Sequence, residues 1–125
     1  MKISRVALAL FFIVAGVNHF VSPAPYLAIM PPVFPWPLAW VYLSGAAEIA
    51  GGVGVLFPTT RTIAALGLIV LLIAVFPANI YAAVHGMRIS GHAIPPSLLW
   101  LRLPFQAVLI AWVYFAGWKE RRLLR

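Results

Sequence analysis

Glu48 is the residue around which chemistry could be organised. It lies in the middle of an uncharged run from Val41 to Phe57 and is the only acidic side chain before Glu120. An ionised carboxylate in hydrocarbon costs at least ~2.5 kcal/mol, so such a group turns inward, takes a partner and marks a proton or ligand site. Four-residue spacing places Ser44 on the helix face of Glu48, and Gln106 on the face of Arg102, so two polar faces can meet. A guanidinium fork suits a carboxylate. Glu48 is therefore predicted to pair with Arg102, directly or through Gln106 or water, with His19 and Asn79 flanking the cavity between them. Glu48 and His19 are the candidate catalytic, proton-handling groups. Asn18, Ser44, Asn79, Arg102 and Gln106 are the candidate ligand-binding groups.

Each of these residues also has a plainer reading. Arg102 can snorkel to the outer headgroups. Asn18, Ser44, Asn79 and Gln106 can be interhelical hydrogen-bond glue, worth about 0.6 kcal/mol each and implying no ligand. His19 can cap or bond at the interface. His19, Glu48 and a third ligand could hold a metal geometrically, but arginine competes for Glu48 and the spacing carries no recognised signature, so no metal site is expected. Haem between paired histidines is disfavoured as well. His19 is the only histidine inside a span, and His85 and His92 fall at or beyond a span's edge.

Membrane helices are expected to hold these side chains in place. Of 125 residues, 64% are hydrophobic and 9% charged, against roughly 45–50% and about 25% in an ordinary soluble domain. The expected fold class is an all-α, integral membrane four-helix bundle in a single domain, 1–125. Its spans are predicted at about 4–21, 37–57, 62–84 and 97–118. The small residues around Glu48 (Gly45, Ala46, Ala47, Ala50, Gly51, Gly52, Gly54) let neighbouring backbones come close. The second span should therefore be the inner helix.

The basic start, apolar middle and small-residue end of residues 1–24 resemble a signal peptide. Pro23 and Pro25 suit a cleavage site badly, so this is read as a retained span. Residues 22–37 hold six prolines and no charge. They cannot continue a helix and should lie along the membrane surface, with Trp36 and Trp40 at headgroup level. Pro77 leaves the carbonyl of Ile73 without its usual donor and should bend the third span near Asn79. Residues 85–96 form a polar connection, and 119–125 a basic tail. Lys2, Arg5, Arg61, Lys119, Arg121, Arg122 and Arg125 fall on one side of a four-span path. Only Arg88 lies clearly on the other, with Arg102 just inside that edge, so both termini are expected to be cytoplasmic.

The net charge of +7 does not imply nucleic acid, because the basic residues gather at segment ends and not on a polar face with stacking aromatics. With no cysteine, disulfides, thiol redox chemistry and cysteine-ligated metal centres are excluded. Any redox role needs a borrowed cofactor.

Gly16-Val17-Asn18-His19-Phe20, Ser44-Gly45-Ala46-Ala47-Glu48 with Gly51-Gly52 and Leu56, and Arg61 with Ala64-Ala65 followed by Phe76-Pro77-Ala78-Asn79 together resemble the DoxX family of small four-helix membrane proteins. The resemblance covers nearly the whole chain. It implies a multi-pass protein of the bacterial inner (plasma) membrane, similar to the small subunit of a thiosulfate:quinone oxidoreductase or to a partner in membrane redox complexes. Without cysteine, sulfur chemistry on this polypeptide itself is not expected.

Three functions are open at this stage. The outer-half cavity could bind a quinone or similar lipid-soluble molecule, with electrons supplied by a redox partner protein. The chain could be a membrane scaffold whose basic tail recruits a soluble enzyme or anionic lipid. It could also be a small-molecule transporter, which would require a homo-oligomer because four helices leave little room for alternating access. In each case the lipid bilayer is the first partner.

Overall fold

The computed structural model describes residues 2–28, 30, 32–86, 88–89 and 92–119. Four long helices carry the architecture: α1 (Lys2–Val21), α3 (Pro37–Val55), α4 (Arg61–His85) and α5 (Pro96–Val113). A short helix, α2 (Ala24–Ala28), lies between the first two, and a π-helical turn, Tyr114–Lys119, extends α5. Four spans, Ile3–Val21, Pro37–Val55, Arg61–His85 and Pro96–Gly117, are long and apolar enough to cross a membrane. Large apolar side chains are exposed along all of them, among them Val14, Val70, Ile73, Leu101 and Val108, each more than half exposed. A water-soluble bundle would bury such residues, whereas in a bilayer they meet lipid.

The most extensive helix contact is α1 with α3; α3 also packs on α4, and α4 on α5 and its π-helical extension. The α1–α3 contact depends on glycine. A Cβ on Gly16 would lie 2.5 Å from the carbonyl oxygen of Gly45, and one on Gly45 would lie 2.7 Å from Cβ of His19. Only hydrogen at these two positions allows the backbones to come this close. The main apolar core includes Leu8, Phe12, Val55, Leu68, Leu72, Leu109 and Val113. It fills the end of the bundle where α1 begins and α5 finishes. A smaller cluster of Ala82, Ala83 and Leu99 sits at the other end, between α4 and α5.

The helix ends differ from the sequence expectation for identifiable reasons. Helix α3 ends at Val55, two residues early, because side chains from the next turn take its last carbonyls. Thr60 Oγ1 donates to the Gly54 oxygen at 2.7 Å. Arg61 donates from Nε to Val55 at 2.7 Å and from Nη2 to Leu56 at 3.2 Å. Helix α4 runs to His85 and closes on Gly86, whose φ of 85° is a conformation suited to glycine. Residues 22–37 were expected to hold no helix. They form α2, which starts at Ala24 so that Pro25 falls in its first turn, where a missing N–H costs nothing.

Helix α4 stays helical through Pro77. A neighbouring helix adds a donor on this stretch: Gln106 Nε2 donates to the carbonyl of Leu72 at 2.7 Å, one residue before the carbonyl that proline deprives. The polar connection contains a two-residue antiparallel ribbon, β1 (Arg88–Ile89) with β2 (His92–Ala93), in the register Arg88 to Ala93 and Ile89 to His92. Helix α2 lies against β1 and against the start of α3. From Glu120 onward, the expected basic tail lies outside the described residues.

Candidate functional site

A cavity of about 230 Å³ opens among the helices directly above the main core, with Phe12, Leu72 and Leu109 as its floor. Tyr26 and Met30, from the segment after α1, line it from the other side. His19, Ser44, Glu48, Asn79, Arg102 and Gln106 all contribute to its lining. Phe11 and Phe105 add aromatic walls. At this size the space holds one ring or headgroup, below the roughly 300–1,000 Å³ of sites that enclose a drug-sized ligand.

The pairing inside the cavity corrects the direct form of the Glu48–Arg102 expectation. The basic side chain within 4 Å of Glu48 among the described residues is His19, with Nδ1 to Oε2 at 3.6 Å, and not Arg102. The glycine contact between α1 and α3 accounts for this. Gly45 lies against His19 and Glu48 follows one turn later, so the carboxylate is delivered to α1 before it can reach α5. Both side chains are largely buried, His19 at 9% and Glu48 at 13% exposure. Glu48 Oε2 has no hydrogen-bond partner. Arg102 remains in the lining of the same cavity.

His19 is held in a defined state. Its Nδ1 is 2.7 Å from the carbonyl oxygen of Ala15. A carbonyl only accepts, so Nδ1 carries the hydrogen, and Nε2 of the neutral ring keeps a lone pair. The Tyr26 ring stacks on the imidazole, with centroids 3.8 Å apart and planes at 18°. Asn18 Nδ2 donates to Tyr26 Oη at 2.7 Å. Asn18 therefore does not line the cavity. It is exposed one step around the helix from His19 and touches the site only through Tyr26.

Tyr26 lines the cavity although it was not among the residues expected from the sequence, and the same holds for Phe11, Met30 and Phe105. For Tyr26, the signal available was a lone tyrosine in an uncharged proline-rich segment seven positions after His19, close enough to fold back over it. Among the described residues, no third histidine, cysteine or carboxylate joins His19 and Glu48 in a metal-sized cluster.

Asn79 and Gln106 are tied to each other. Asn79 Nδ2 donates to Gln106 Oε1 at 3.3 Å, and Gln106 donates onward to Leu72, so the two amides join α4 to α5 beside Pro77. Both are buried, at 6% exposure. Replacing Gln106 with Leu removes two interhelical hydrogen bonds and should lower the unfolding free energy in detergent by about 1.2 kcal/mol, at about 0.6 kcal/mol for each bond. Chemical unfolding followed by circular dichroism measures this.

The cavity and most of the helical bundle fall within one family model, described as Domain of unknown function (DUF8561), which matches residues 8–116. The chain belongs to this family. The DUF8561 match takes in the whole interval from Asn18 to Gln106 and so includes every candidate site residue. Comparison with curated proteins and with solved structures gives no match.

Proposed function

We propose that this chain is a DoxX-like protein of the bacterial inner membrane, with both termini cytoplasmic, whose cavity binds a quinone or a similar lipid-soluble ring molecule. The observation that carries the reading is the convergence of His19, Glu48 and Arg102 with Phe11, Phe105 and Tyr26 around one ring-sized space. A quinone site needs an apolar slot, hydrogen-bonding groups for the ring oxygens and a residue that can exchange a proton. Those three requirements match the aromatic walls, the lining polar groups and the Glu48–His19 pair. Because the cavity takes only a ring, a prenyl tail would leave it and lie among the lipids.

The chain has no cysteine to carry electrons, so they would come from a partner protein, with this chain serving as a subunit of a quinone-linked oxidoreductase. The orientation rests on the seven lysines and arginines gathered on one side. A second reading, a membrane scaffold that recruits a soluble partner enzyme, is favoured by one specific observation. The Asn79–Gln106–Leu72 chain of hydrogen bonds is already complete within the protein.

The two readings separate on ligand retention. Wild-type protein purified in mild detergent should release near-stoichiometric quinone into an organic extract, read by mass spectrometry. Arg102→Ala should reduce the retained quinone at least tenfold, the effect of losing one hydrogen bond to a charged group, and Glu48→Gln should reduce the retained reduced form, the quinol, by as much. Bulk lipid alone from all three well-folded proteins would favour the scaffold.

A further inference from the structure

We infer that the cavity selects a neutral one-ring molecule that donates a hydrogen bond to the Glu48–His19 pair, a hydroxyl of the phenol or hydroquinone type. The inference rests on the reading of the cavity as a ring site and adds the polarity its ligand must have.

With Glu48 ionised and His19 neutral, the two vacancies on the α1–α3 side are both acceptors. Glu48 Oε2 is buried without a hydrogen-bond partner. The nearest N–H belongs to His19 Nδ1, but that hydrogen is engaged by the Ala15 carbonyl at 2.7 Å, and 3.6 Å to the carboxylate is beyond hydrogen-bond length. His19 Nε2 carries a lone pair in this tautomer. It makes no hydrogen bond among the described residues, and His19 lines the cavity. A ligand hydroxyl can satisfy either acceptor, whereas a carbonyl oxygen can satisfy neither.

On the facing side, Asn79 already donates an amide N–H to Gln106, and Gln106 donates one to Leu72. Arg102 adds a donor to that wall, which suits an oxygen at the far end of the same ring. The formal charges of Glu48 and Arg102 oppose each other, so the lining favours a neutral guest over an ion. Phe11, Tyr26 and Phe105 supply ring-sized apolar walls. A quinol has a hydroxyl at each end and meets all these conditions. The oxidised quinone fits the shape but leaves the Glu48 oxygen without a donor.

The test uses the full chain in mild detergent under argon and three probes of one skeleton: tetramethylhydroquinone, its dimethyl ether and tetramethyl-1,4-benzoquinone. Binding is read by equilibrium dialysis to wild type and to Glu48→Leu, a change that removes the acceptor and suits an apolar span. The expected result is that the hydroquinone binds wild type about tenfold or more tighter than the other two, and that Glu48→Leu makes the three alike. Equal binding of hydroquinone and quinone to wild type, or a preference for quinone, would overturn the inference and leave the quinone-site reading intact. Equal binding of the hydroquinone and its ether would also overturn it, since the hydroxyl would then contribute nothing. A hydroquinone preference that survives in Glu48→Leu would remove Glu48 from the assignment. No binding of any probe would overturn the inference and the ring-site reading together.

Discussion

Gly45→Val is expected to be the most damaging single change in the bundle. A Cβ at this position would sit 2.7 Å from Cβ of His19, 2.9 Å from the carbonyl oxygen of Gly16 and 3.0 Å from the Phe20 ring. The first two neighbours cannot turn away as the tip of a long side chain could, so α1 and α3 must separate. Overpacking of this kind costs about 1–3 kcal/mol, and the two further methyl groups of valine place it at the upper end. The same separation pulls His19 from Glu48 and should abolish ligand retention in whatever protein remains folded. Thermal unfolding in detergent, together with the organic extract, measures both effects. Gly67→Ala is the control. A Cβ there meets nothing within 4 Å, and helix propensity alone makes the change neutral to slightly stabilising. A Gly45→Val protein as stable as Gly67→Ala would refute the close-contact account of the α1–α3 interface.

Arg61→Ala is expected to have a comparable effect on stability and none on the cavity. Arg61 is 7% exposed, and its guanidinium holds the carbonyls of Val55 and Leu56 at the end of α3. Hydrogen bonds to charged groups contribute about 1.5–3 kcal/mol each, so losing the pair should lower the unfolding free energy by about 3 kcal/mol or more. Arg61→Lys should restore only part of this, since an ammonium cannot reproduce the planar fork. The cap lies at the end of the bundle away from His19 and Glu48. Folded Arg61→Ala protein should therefore retain ligand as wild type does. Loss of ligand at unchanged stability would show that Arg61 acts on the site, contrary to its position.

The contrast between these two residues shows what sequence could and could not reveal. Arg61 was legible as a charge at a span's edge and was counted for topology and in the family resemblance, not as a cap. Its work as a cap depends on where α3 stops, which hydropathy does not specify. The four spans were legible because each is a long apolar run closed by proline, glycine or charge. His19, Ser44, Glu48, Asn79, Arg102 and Gln106 were expected in the outer half of the bundle or at its midplane, and they line one cavity.

Rotation about the helix axis was not legible. Asn18 and His19 are adjacent in sequence but point about 100° apart on a helix, so only one of them can face inward. The partner of Glu48 likewise follows from how closely Gly16 and Gly45 let two backbones approach. That is a property of the helix pair and of neither run alone. Tyr26 and the ribbon at Arg88–Ile89 and His92–Ala93 belong to connections, where periodicity carries no information.

One remaining contact bears on the order in which the molecule is completed. Trp112 Nε1 donates to Ser4 Oγ at 3.0 Å across a separation of 108 residues. The major interfaces, α1 with α3, α3 with α4 and α4 with α5, join elements that emerge close together. Such contacts can form as the chain is made, while a bond between the first turn and the last helix must wait for its second half. Until then the helices stand as an open row. Phe105 and Gln106, which wall the cavity, arrive on the same helix as Trp112. Ring closure and pocket formation are thus a single late event, and a nascent chain halted before α5 would offer lipid a groove where the finished protein has a chamber.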